Sequence, residues 1–356
     1  MSKYWSELAA SLVPYVPGEQ PKDKQYIKLN TNENPYPPSQ RVLEAIQAAA
    51  NADLRLYPDP TCSALAQKAA EYYGVTPDHI FIGNGSDEVL AFAFAAFFSP
   101  SKHPVLFPDI TYSFYKVYAG LYRITYKTVP LDEQFRVPLE AFAEPNGGII
   151  LPNPNAPTSL YIETKKFRSV IEQNQDVVVI LDEAYIDFGG ESAVRLVNDY
   201  PNLLVVQTLS KSRSLAGLRV GFAVGHPDLI EGLNRVKNSF NSYTIDRLAL
   251  AGAAAALEDQ SYFEETTRKV IATRNRTADQ LRKRGFYVAD SAANFLFVSH
   301  PAHRASDLFQ GLKQRGILVR YFNQPRIDNH LRISVGTDEE MNKLIEALDS
   351  LMVENM

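Results

Sequence analysis

The chain has 356 residues, of which 45% are hydrophobic and 22% charged, and its formal net charge is −5. This composition excludes an intrinsically disordered chain, and the length predicts two domains of about 100–200 residues each. The acidic balance, together with the lack of a lysine and arginine cluster, argues against nucleic acid as a partner.

Cysteine usage and apolar runs predict the cellular compartment. The single cysteine, Cys62, cannot form an intrachain disulfide, which fits a reducing environment. The N-terminal residues lack the apolar core of a signal peptide. The longest apolar runs, 89–98 and 248–257, are well short of the roughly 18 residues expected of a membrane span. We therefore expect a cytoplasmic protein without a membrane partner.

A proline-rich arm over residues 14–38 comes first, and helical and strand patterns alternate after it. The strand candidates are continuous apolar runs, typical of strands buried on both faces. Strands separated by helices predict a mainly parallel sheet with helices on both faces. The predicted strands are 79–83, 103–109, 123–129, 147–153, 175–185, 202–210 and 219–225, and the predicted helices are 41–52, 63–74, 86–98 and 165–174.

The pattern changes at about residue 245, where a long helical stretch over 244–285 leads into a second region. Short strand candidates and amphipathic helices alternate there, which predicts a smaller α+β domain. These segments are 286–291, 294–300, 306–316, 316–322, 330–336 and 338–352. The expected fold class is α/β, with a large domain built on a seven-stranded type of sheet. The expected divisions are an arm over 1–35, a large domain over 36–260 and a small domain over 261–356.

Two apolar strands end in side chains that carry chemistry. Asp182 follows one strand directly, and Thr208, Ser210 and Lys211 end the next. In open α/β sheets ligands bind at the carboxyl ends of the strands. An aspartate and a lysine are the pair that pyridoxal 5'-phosphate requires: the lysine forms a Schiff base, and the aspartate keeps the ring nitrogen protonated. Asp182 by itself is equally a helix cap or a loop charge.

The residues after Lys211 predict a phosphate site. Ser210 and Arg219 supply donors, and the planar fork of arginine suits a phosphate. Gly217 and Gly221 are expected to let the backbone pass close by the phosphate.

Three further segments add weaker signals. Strand 79–83 runs into glycines that open a helix, and the amides of Ser86 and Asp87 there suit an anion, although the same pattern also fits an ordinary N-cap. The turn in 151–159 offers asparagines to a cofactor ring, and Tyr112 offers a stacking face. Each of these, taken singly, is as well explained by a turn or by packing.

Taken together, these residues resemble the fold-type I pyridoxal-phosphate aminotransferases, and within them the histidinol-phosphate aminotransferase group. The resemblance covers nearly the whole chain, in order. It is carried by the motifs LNTNENPYPPS (29–39), LYPDP (56–60), GNGSDE (83–88), NPNAPTS (153–159), LDEAYIDF (181–188), TLSKSRSLAGLRVG (208–221) and LRISVGT (331–337).

The resemblance implies roles for the cofactor residues. Lys211 is the Schiff-base lysine and the base that moves the substrate proton, and Asp182 holds the ring nitrogen. Tyr185 binds the ring hydroxyl, and Tyr112 stacks on the ring. The implied phosphate donors are Ser210, Arg219 and the amides of Ser86 and Asp87.

The resemblance also implies substrate residues and a partner. Arg332, helped by Arg320, binds the anionic end of the substrate, and Tyr15 of the arm covers it. Tyr57 reaches the phosphate of the neighbouring subunit, which makes the protein an obligate homodimer with composite sites. The implied substrates are L-histidinol phosphate and 2-oxoglutarate, both anions that suit arginine.

The sequence departs from the family pattern near the ring hydroxyl. Ala156 stands where the family usually has an asparagine, and Ser159 where it has a glycine. The hydroxyl contact is then left to Asn155 or to Tyr185.

Other activities remain open at this point. An aromatic amino acid aminotransferase, a pyridoxal-phosphate decarboxylase of a phosphorylated amino acid, and a ligand-binding module without activity are alternatives on the same fold. A transaminase makes glutamate from 2-oxoglutarate, whereas a decarboxylase ignores it and releases carbon dioxide. The six histidines show no metal-ligand spacing, so no metal is expected.

Overall fold

A computed structural model describes residues 2–16, 18–100 and 103–354. Seven strands form its main sheet, in the order β2-β8-β7-β6-β5-β3-β4. These strands are β2 (Ile80–Asn84), β3 (Val105–Pro108), β4 (Tyr126–Val129), β5 (Ile149–Pro152), β6 (Val179–Asp182), β7 (Leu203–Thr208) and β8 (Val220–Gly225). Six of the seven fall within predicted strands, and β2 extends one residue beyond the predicted 79–83. The predicted fold class is confirmed.

The main sheet is parallel except at one strand. β8 runs antiparallel to both of its neighbours, β2 and β7, and the other pairs are parallel. Strands β5, β6 and β7 are buried along their whole length, which is the reason they carry continuous apolar runs rather than alternating ones. Their carboxyl ends therefore meet at one edge of the sheet.

Helices cover both faces of this sheet. In β6, Val179 and Leu181 pack into one apolar core and Ile180 into the other, because successive side chains of a strand point to opposite faces. The helices on the first face are α2 (Gln40–Ala49), α3 (Ser63–Tyr73), α6 (Phe167–Gln173) and α8 (Arg247–Glu258); those on the second are α4 (Gly85–Phe97), α5 (Phe114–Leu121) and α7 (Pro227–Phe240).

A second sheet of four strands, in the order β12-β13-β10-β9, lies in the C-terminal part of the chain. It packs with three helices around a separate apolar core. Its strands are β9 (Tyr287–Val288), β10 (Phe295–Ser299), β12 (Arg320–Tyr321) and β13 (Leu331–Ser334), and the helices are α9 (Gln260–Lys283), α10 (Ala305–Gln314) and α11 (Asp338–Glu354).

The N-terminal segment runs beside this second sheet. Its helix α1 (Glu7–Ser11) is followed by β1 (Ile27–Lys28), which pairs in parallel with β11 (Ile317–Leu318). The domain divisions at 35/36 and 260/261 stay a prediction; the arm and the last domain so defined include residues 1, 17, 355 and 356, which lie outside the described residues.

The structure differs from the expected helices in two respects. The stretch over 244–285 is two helices, because Asp259 ends α8 and its carboxylate accepts a hydrogen bond from the amide of Tyr262, which starts α9. Helices α5 and α7 were not predicted, although α7 opens with Pro227 at its first turn, a typical start signal. None of the helices described is both long and apolar enough to span a membrane.

Candidate active site

A cavity of about 280 Å³ opens at the carboxyl edge of the main sheet. Pro152, Asp182 and Thr208, the last residues of β5, β6 and β7, form its floor. Eleven of the thirteen predicted site residues line it: Tyr15, Ser86, Asp87, Tyr112, Asp182, Tyr185, Ser210, Lys211, Arg219, Arg320 and Arg332. Tyr57 and Asn155 lie outside its wall. Segments far apart in the chain thus converge on one space, as parallel strand ends predict.

Asp182 presents one oxygen without a partner. Its Oδ2 accepts a hydrogen bond from the hydroxyl of Tyr115 at 2.7 Å, and its Oδ1 is buried and unpaired among the described residues. Burial raises the pKa of Asp182 to about 6, although the bonds from Tyr115 and from the amide of Ala184 lower it. A buried carboxylate oxygen is costly to leave unpaired, so this site favours a ligand with a positively charged donor.

Lys211 follows the end of β7 and turns its amine into the same cavity. Its Nζ donates to the carbonyl of Thr31 at 3.2 Å and lies 5.8 Å from the ring centre of Tyr185. The main chain of Lys211 is held in turn by Asn34, whose Nδ2 donates to its carbonyl at 3.2 Å. The NENP segment therefore fixes the position of the lysine.

Arg219 lies next to the start of α4, at a part of the cavity that we call the phosphate corner. It adopts a left-handed backbone with φ 57°, and its guanidinium pairs with Asp87 at 3.0 Å and contacts Ser210 Oγ at 3.4 Å. The other oxygen of Asp87 accepts from Tyr112 at 2.7 Å. Asp87 thus orients both the guanidinium and the aromatic ring.

The first turn of α4 faces this corner without a side-chain cap. Its N-cap residue, Asn84, makes no capping hydrogen bond that the described residues record, and this leaves the amides of the first turn for an anion. The anion site at the amides of Ser86 and Asp87 stays a prediction, and an ordinary side-chain N-cap is not observed among the described residues.

The two glycines predicted near the phosphate have different protein surroundings. A Cβ at Gly221 would lie 2.3 Å from the amide nitrogen of Ser86 and 2.5 Å from the carbonyl carbon of Gly85. A Cβ at Gly217 would meet no described atom within 4 Å, so the approach of the backbone to the phosphate at Gly217 stays a prediction. Gly221 matters because β8 passes directly over the start of α4.

Two arginines form the far end of the cavity. Arg320 and Arg332 are directly paired across strands β12 and β13. Arg332 donates to the carbonyl of Asn30 at 2.8 Å, whereas its Nε is buried and unpaired within the described chain. Burial, with a smaller contribution from the charge of Arg320, lowers the pKa of Arg332. Two like charges held together favour an anionic ligand.

Aromatic rings form one wall. The rings of Tyr15 and Phe114 lie 4.4 Å apart, and those of Tyr112 and Phe114 lie 5.5 Å apart. The arm tyrosine thus reaches the same aromatic group as the tyrosine predicted to stack on a cofactor.

The two remaining predicted residues are differently placed. Asn155 is 2% exposed, and its Nδ2 donates to Ile110 O and Thr158 Oγ1 at 3.1 and 2.9 Å. Tyr57 is 77% exposed and stacks on Tyr243 at 4.5 Å. Within its own chain Tyr57 does not reach the cavity, and the cofactor roles of both residues stay predictions.

Sequence reasoning missed several side chains that shape the site. Tyr115 holds Asp182, and Asn32 donates to the hydroxyl of Tyr185 at 3.1 Å. The three-residue spacing of Tyr112 and Tyr115 is a signal for a helical turn, although Tyr112 itself lies just before α5. Lys116 and Thr31 also line the cavity.

The donor set fits a flat, phosphorylated pyridine aldehyde. It combines a lysine amine, an unpaired carboxylate oxygen, an aromatic wall and an anion corner formed by Arg219 and the start of α4. In the part of the chain that the structure describes, no three histidine, cysteine, aspartate or glutamate side chains are grouped as a metal site would need.

Comparisons with known proteins identify the family of this chain. The profile of the family "Aminotransferase class I and II" matches residues 24–348. A histidinol-phosphate aminotransferase of Clostridium beijerinckii is 60% identical over 355 residues, covering 100% of this chain and 99% of that protein. A histidinol-phosphate aminotransferase of Pseudomonas syringae pv. syringae is 58% identical over 351 residues, covering 99% of this chain and 100% of that protein.

A solved structure is similar over the whole chain. The histidinol-phosphate aminotransferase of Sinorhizobium meliloti, solved in complex with pyridoxal-5'-phosphate, has a TM-score of 0.90 and 26% identity, covering 100% of this chain and 99% of that one. The resemblance drawn from the motifs is thereby confirmed. This chain belongs to the class I and II aminotransferase family.

Proposed function

We propose that this protein is a histidinol-phosphate aminotransferase. It exchanges an amino group between L-histidinol phosphate and 2-oxoglutarate, with pyridoxal 5'-phosphate as cofactor, in histidine biosynthesis. The observation that carries the proposal is a single cavity that joins the Lys211 amine, the free oxygen of Asp182 and the arginine pair Arg320 and Arg332. The relatives at 58–60% identity over the full chain support the choice of substrate.

Four side chains would hold the cofactor. Asp182 Oδ1 holds the proton of the ring nitrogen, and Tyr112 packs against the ring face. Arg219 and Ser210 bind the phosphate by charge-assisted hydrogen bonds, together with the amides of the first turn of α4. Support comes from the burial of Asp182 and from the uncapped start of α4.

Lys211 is the group that handles protons. The bound cofactor supplies an aldehyde that takes up amines and a ring that withdraws electrons from the substrate α-carbon. The Lys211 amine would take up the proton from that carbon and release it again, acting as base and acid in turn. Its contact with the Thr31 carbonyl keeps the amine at the cavity wall.

Tyr185 is proposed to bind the ring hydroxyl in place of the asparagine usual in the family. Asn32 Nδ2 can only donate, so the oxygen of Tyr185 accepts from it at 3.1 Å and the tyrosine proton is free to be donated. Ala156 packs against Tyr185 and offers no polar atom. The hydrogen-bonding atoms therefore favour Tyr185 over Asn155, whose amide protons are engaged elsewhere.

Arg332 and Arg320 are proposed to bind both substrates in turn. Histidinol phosphate carries a phosphate ester, and 2-oxoglutarate carries two carboxylates. A guanidinium group can donate paired hydrogen bonds to either anion. A single site that holds each substrate in sequence predicts ping-pong kinetics. Tyr15 would cover the bound substrate from the arm, consistent with its packing on Phe114.

A second copy of the chain would complete the site. Tyr57 is exposed and stacks on the exposed Tyr243, and Leu54 and Leu56 just before it in the chain are exposed too. Exposed apolar patches mark interfaces. We propose a homodimer in which Tyr57 reaches the phosphate in the partner subunit. If this is correct, Tyr57→Phe should bind phosphate more weakly while sedimentation still shows a dimer. An enzyme that is active as a monomer would contradict it.

We further propose that the enzyme works in the cytoplasm, with its one cysteine reduced.

The test uses a panel of amino donors with 2-oxoglutarate and added pyridoxal phosphate, and it measures the formation of glutamate. Histidinol phosphate is expected to give at least tenfold higher kcat/KM than phenylalanine or tyrosine. Faster turnover of phenylalanine would make this an aromatic amino acid aminotransferase. Carbon dioxide release without glutamate would make it a decarboxylase, and failure to bind the cofactor would remove the enzymatic function.

A further inference from the structure

Tyr115 lies directly behind Asp182 and outside the cavity. It is 0% exposed, on α5, and its hydroxyl donates to Asp182 Oδ2 at 2.7 Å. Its ring packs edge-on against Phe107 and Tyr112, each with ring centres 5.7 Å away. Tyr115 and Asp182 are 67 positions apart in the chain. Their hydrogen bond exists only because α5 packs on the second face of the sheet.

This hydroxyl can act only as a donor toward Asp182. Burial, and then the negative charge of Asp182, raise the pKa of Tyr115 well above its ordinary value, so the O–H keeps its proton. Because Oδ2 is thereby occupied, the carboxylate cannot rotate freely, and Oδ1 remains the oxygen available to a ligand.

We propose that Tyr115 is a positioning residue for Asp182: its hydroxyl fixes the carboxylate with Oδ1 toward the cavity and stabilises its ionised form. This inference rests on the proposed function, in which the ionised Asp182 holds the protonated ring nitrogen of the cofactor. Tyr115 touches neither cofactor nor substrate and acts through Asp182.

The surroundings of Asp182 make this donor important. The groups that act on its ionisation are Tyr115 from α5, which lowers the pKa, and Asp87 from α4, which raises it. Lys211 and Tyr185 lie on the wall of the same cavity. With burial as the largest cause, the pKa of Asp182 stands at about 6. Removal of the hydroxyl therefore moves this pKa upward, closer to the working pH.

Helix α5 also contains a tyrosine that serves as a control for Tyr115. Tyr118 lies one turn further along α5, is 5% exposed, and its hydroxyl is buried without a partner in the described chain. Tyr118→Phe removes the same atom from the same helix but no hydrogen bond. Comparison of Tyr115→Phe with Tyr118→Phe thus separates the bond to Asp182 from the general effect of losing a buried hydroxyl.

The experiment measures three properties of both variants as holoenzymes: the dissociation constant for pyridoxal phosphate, the pH profile of kcat/KM, and kcat and KM separately. For Tyr115→Phe we expect a roughly tenfold higher dissociation constant, the effect of one charge-assisted hydrogen bond. We expect the acidic limb of the profile to move up by about one pH unit, with kcat falling more than KM rises. Tyr118→Phe is expected to stay within about twofold of the wild type.

Two further variants keep the inference testable if Tyr115→Phe is poorly folded. Tyr115→His returns an N–H donor and should recover part of the cofactor affinity. In an Asp182→Asn background, Tyr115→Phe should add little, because residues that act through one another are not additive.

Several results would overturn the inference. Tyr115→Phe and Tyr118→Phe could show the same cofactor affinity and kinetics. Tyr115→His could bind the cofactor no better than Tyr115→Phe, or the effects of Tyr115→Phe and Asp182→Asn could be fully additive. A wild-type protein that binds no pyridoxal phosphate, or makes no glutamate, would instead contradict the proposed function. The two failures are therefore distinguishable.

Discussion

Gly221 lacks a Cβ atom, and both the fold and the phosphate corner depend on that. In Gly221→Ala the new Cβ would lie 2.3 Å from Ser86 N, 2.5 Å from Gly85 C and 2.9 Å from Ser86 Cα. All three are backbone atoms, so no side chain can rotate away. Either β8 or the first turn of α4 must shift, and the pairing of Gly221 with Gly83 and Thr208 ties β8 to both neighbouring strands.

The expected cost follows from these distances. Overpacking in a close-packed region costs about 1–3 kcal/mol, which for a protein of this size lowers the unfolding midpoint by roughly 2–6 °C. The shift also moves the amide of Ser86, so the dissociation constant for pyridoxal phosphate should rise, by about tenfold if one hydrogen bond to the phosphate is lost.

The matched control is Gly217→Ala, in the turn just before β8. Its Cβ meets no described atom within 4 Å, and such a change gains up to about 1 kcal/mol by restricting the unfolded chain. Thermal unfolding at fixed protein concentration and a cofactor titration measure both effects. Equal midpoints and equal affinities for the two alanine variants would refute the close approach of β8 to α4.

Three shorter predictions concern the charged groups. Lys211→Ala should abolish the visible absorbance of bound cofactor and glutamate formation; retained colour and turnover would remove this lysine from the mechanism. Arg332→Gln should raise KM for 2-oxoglutarate roughly 10–100-fold, and an unchanged KM would assign the anion site elsewhere. Burial raises the pKa of Asp182 to about 6 and that of Glu183 to about 7, so the folded apoprotein holds protons that the unfolded chain has released. Its stability should fall as the pH rises from about 4.5 to 7; Asp182→Asn should flatten the fall, and equal slopes would contradict this.

Local sequence pattern determined the strands of the main sheet. Continuous apolar runs such as 179–182 mark strands buried on both faces, because each residue must pack against a helix layer. The positions of Asp182 and Lys211 at the ends of two such runs then placed an acid and an amine at one edge of the sheet. This inference needed only the run lengths and the rule that parallel strands share a carboxyl edge.

Helix ends were harder to predict than strands. The break at Asp259 depends on one carboxylate that accepts a hydrogen bond from the next helix, and the helical pattern itself continues across it. Helix α5 begins two residues after Tyr112, in a segment where only the spacing of the tyrosines indicates a helix.

The composition, the strand pattern and the motifs together determined the fold class and the family of this protein. Only the tertiary structure decided that β8 passes against Ser86, that Tyr115 reaches Asp182 and that Asn32 reaches Tyr185. The physical reason is that periodicity reports which face of an element is buried but not which distant element covers it. Those partners are chosen by strand order and by the packing of helices across the sheet.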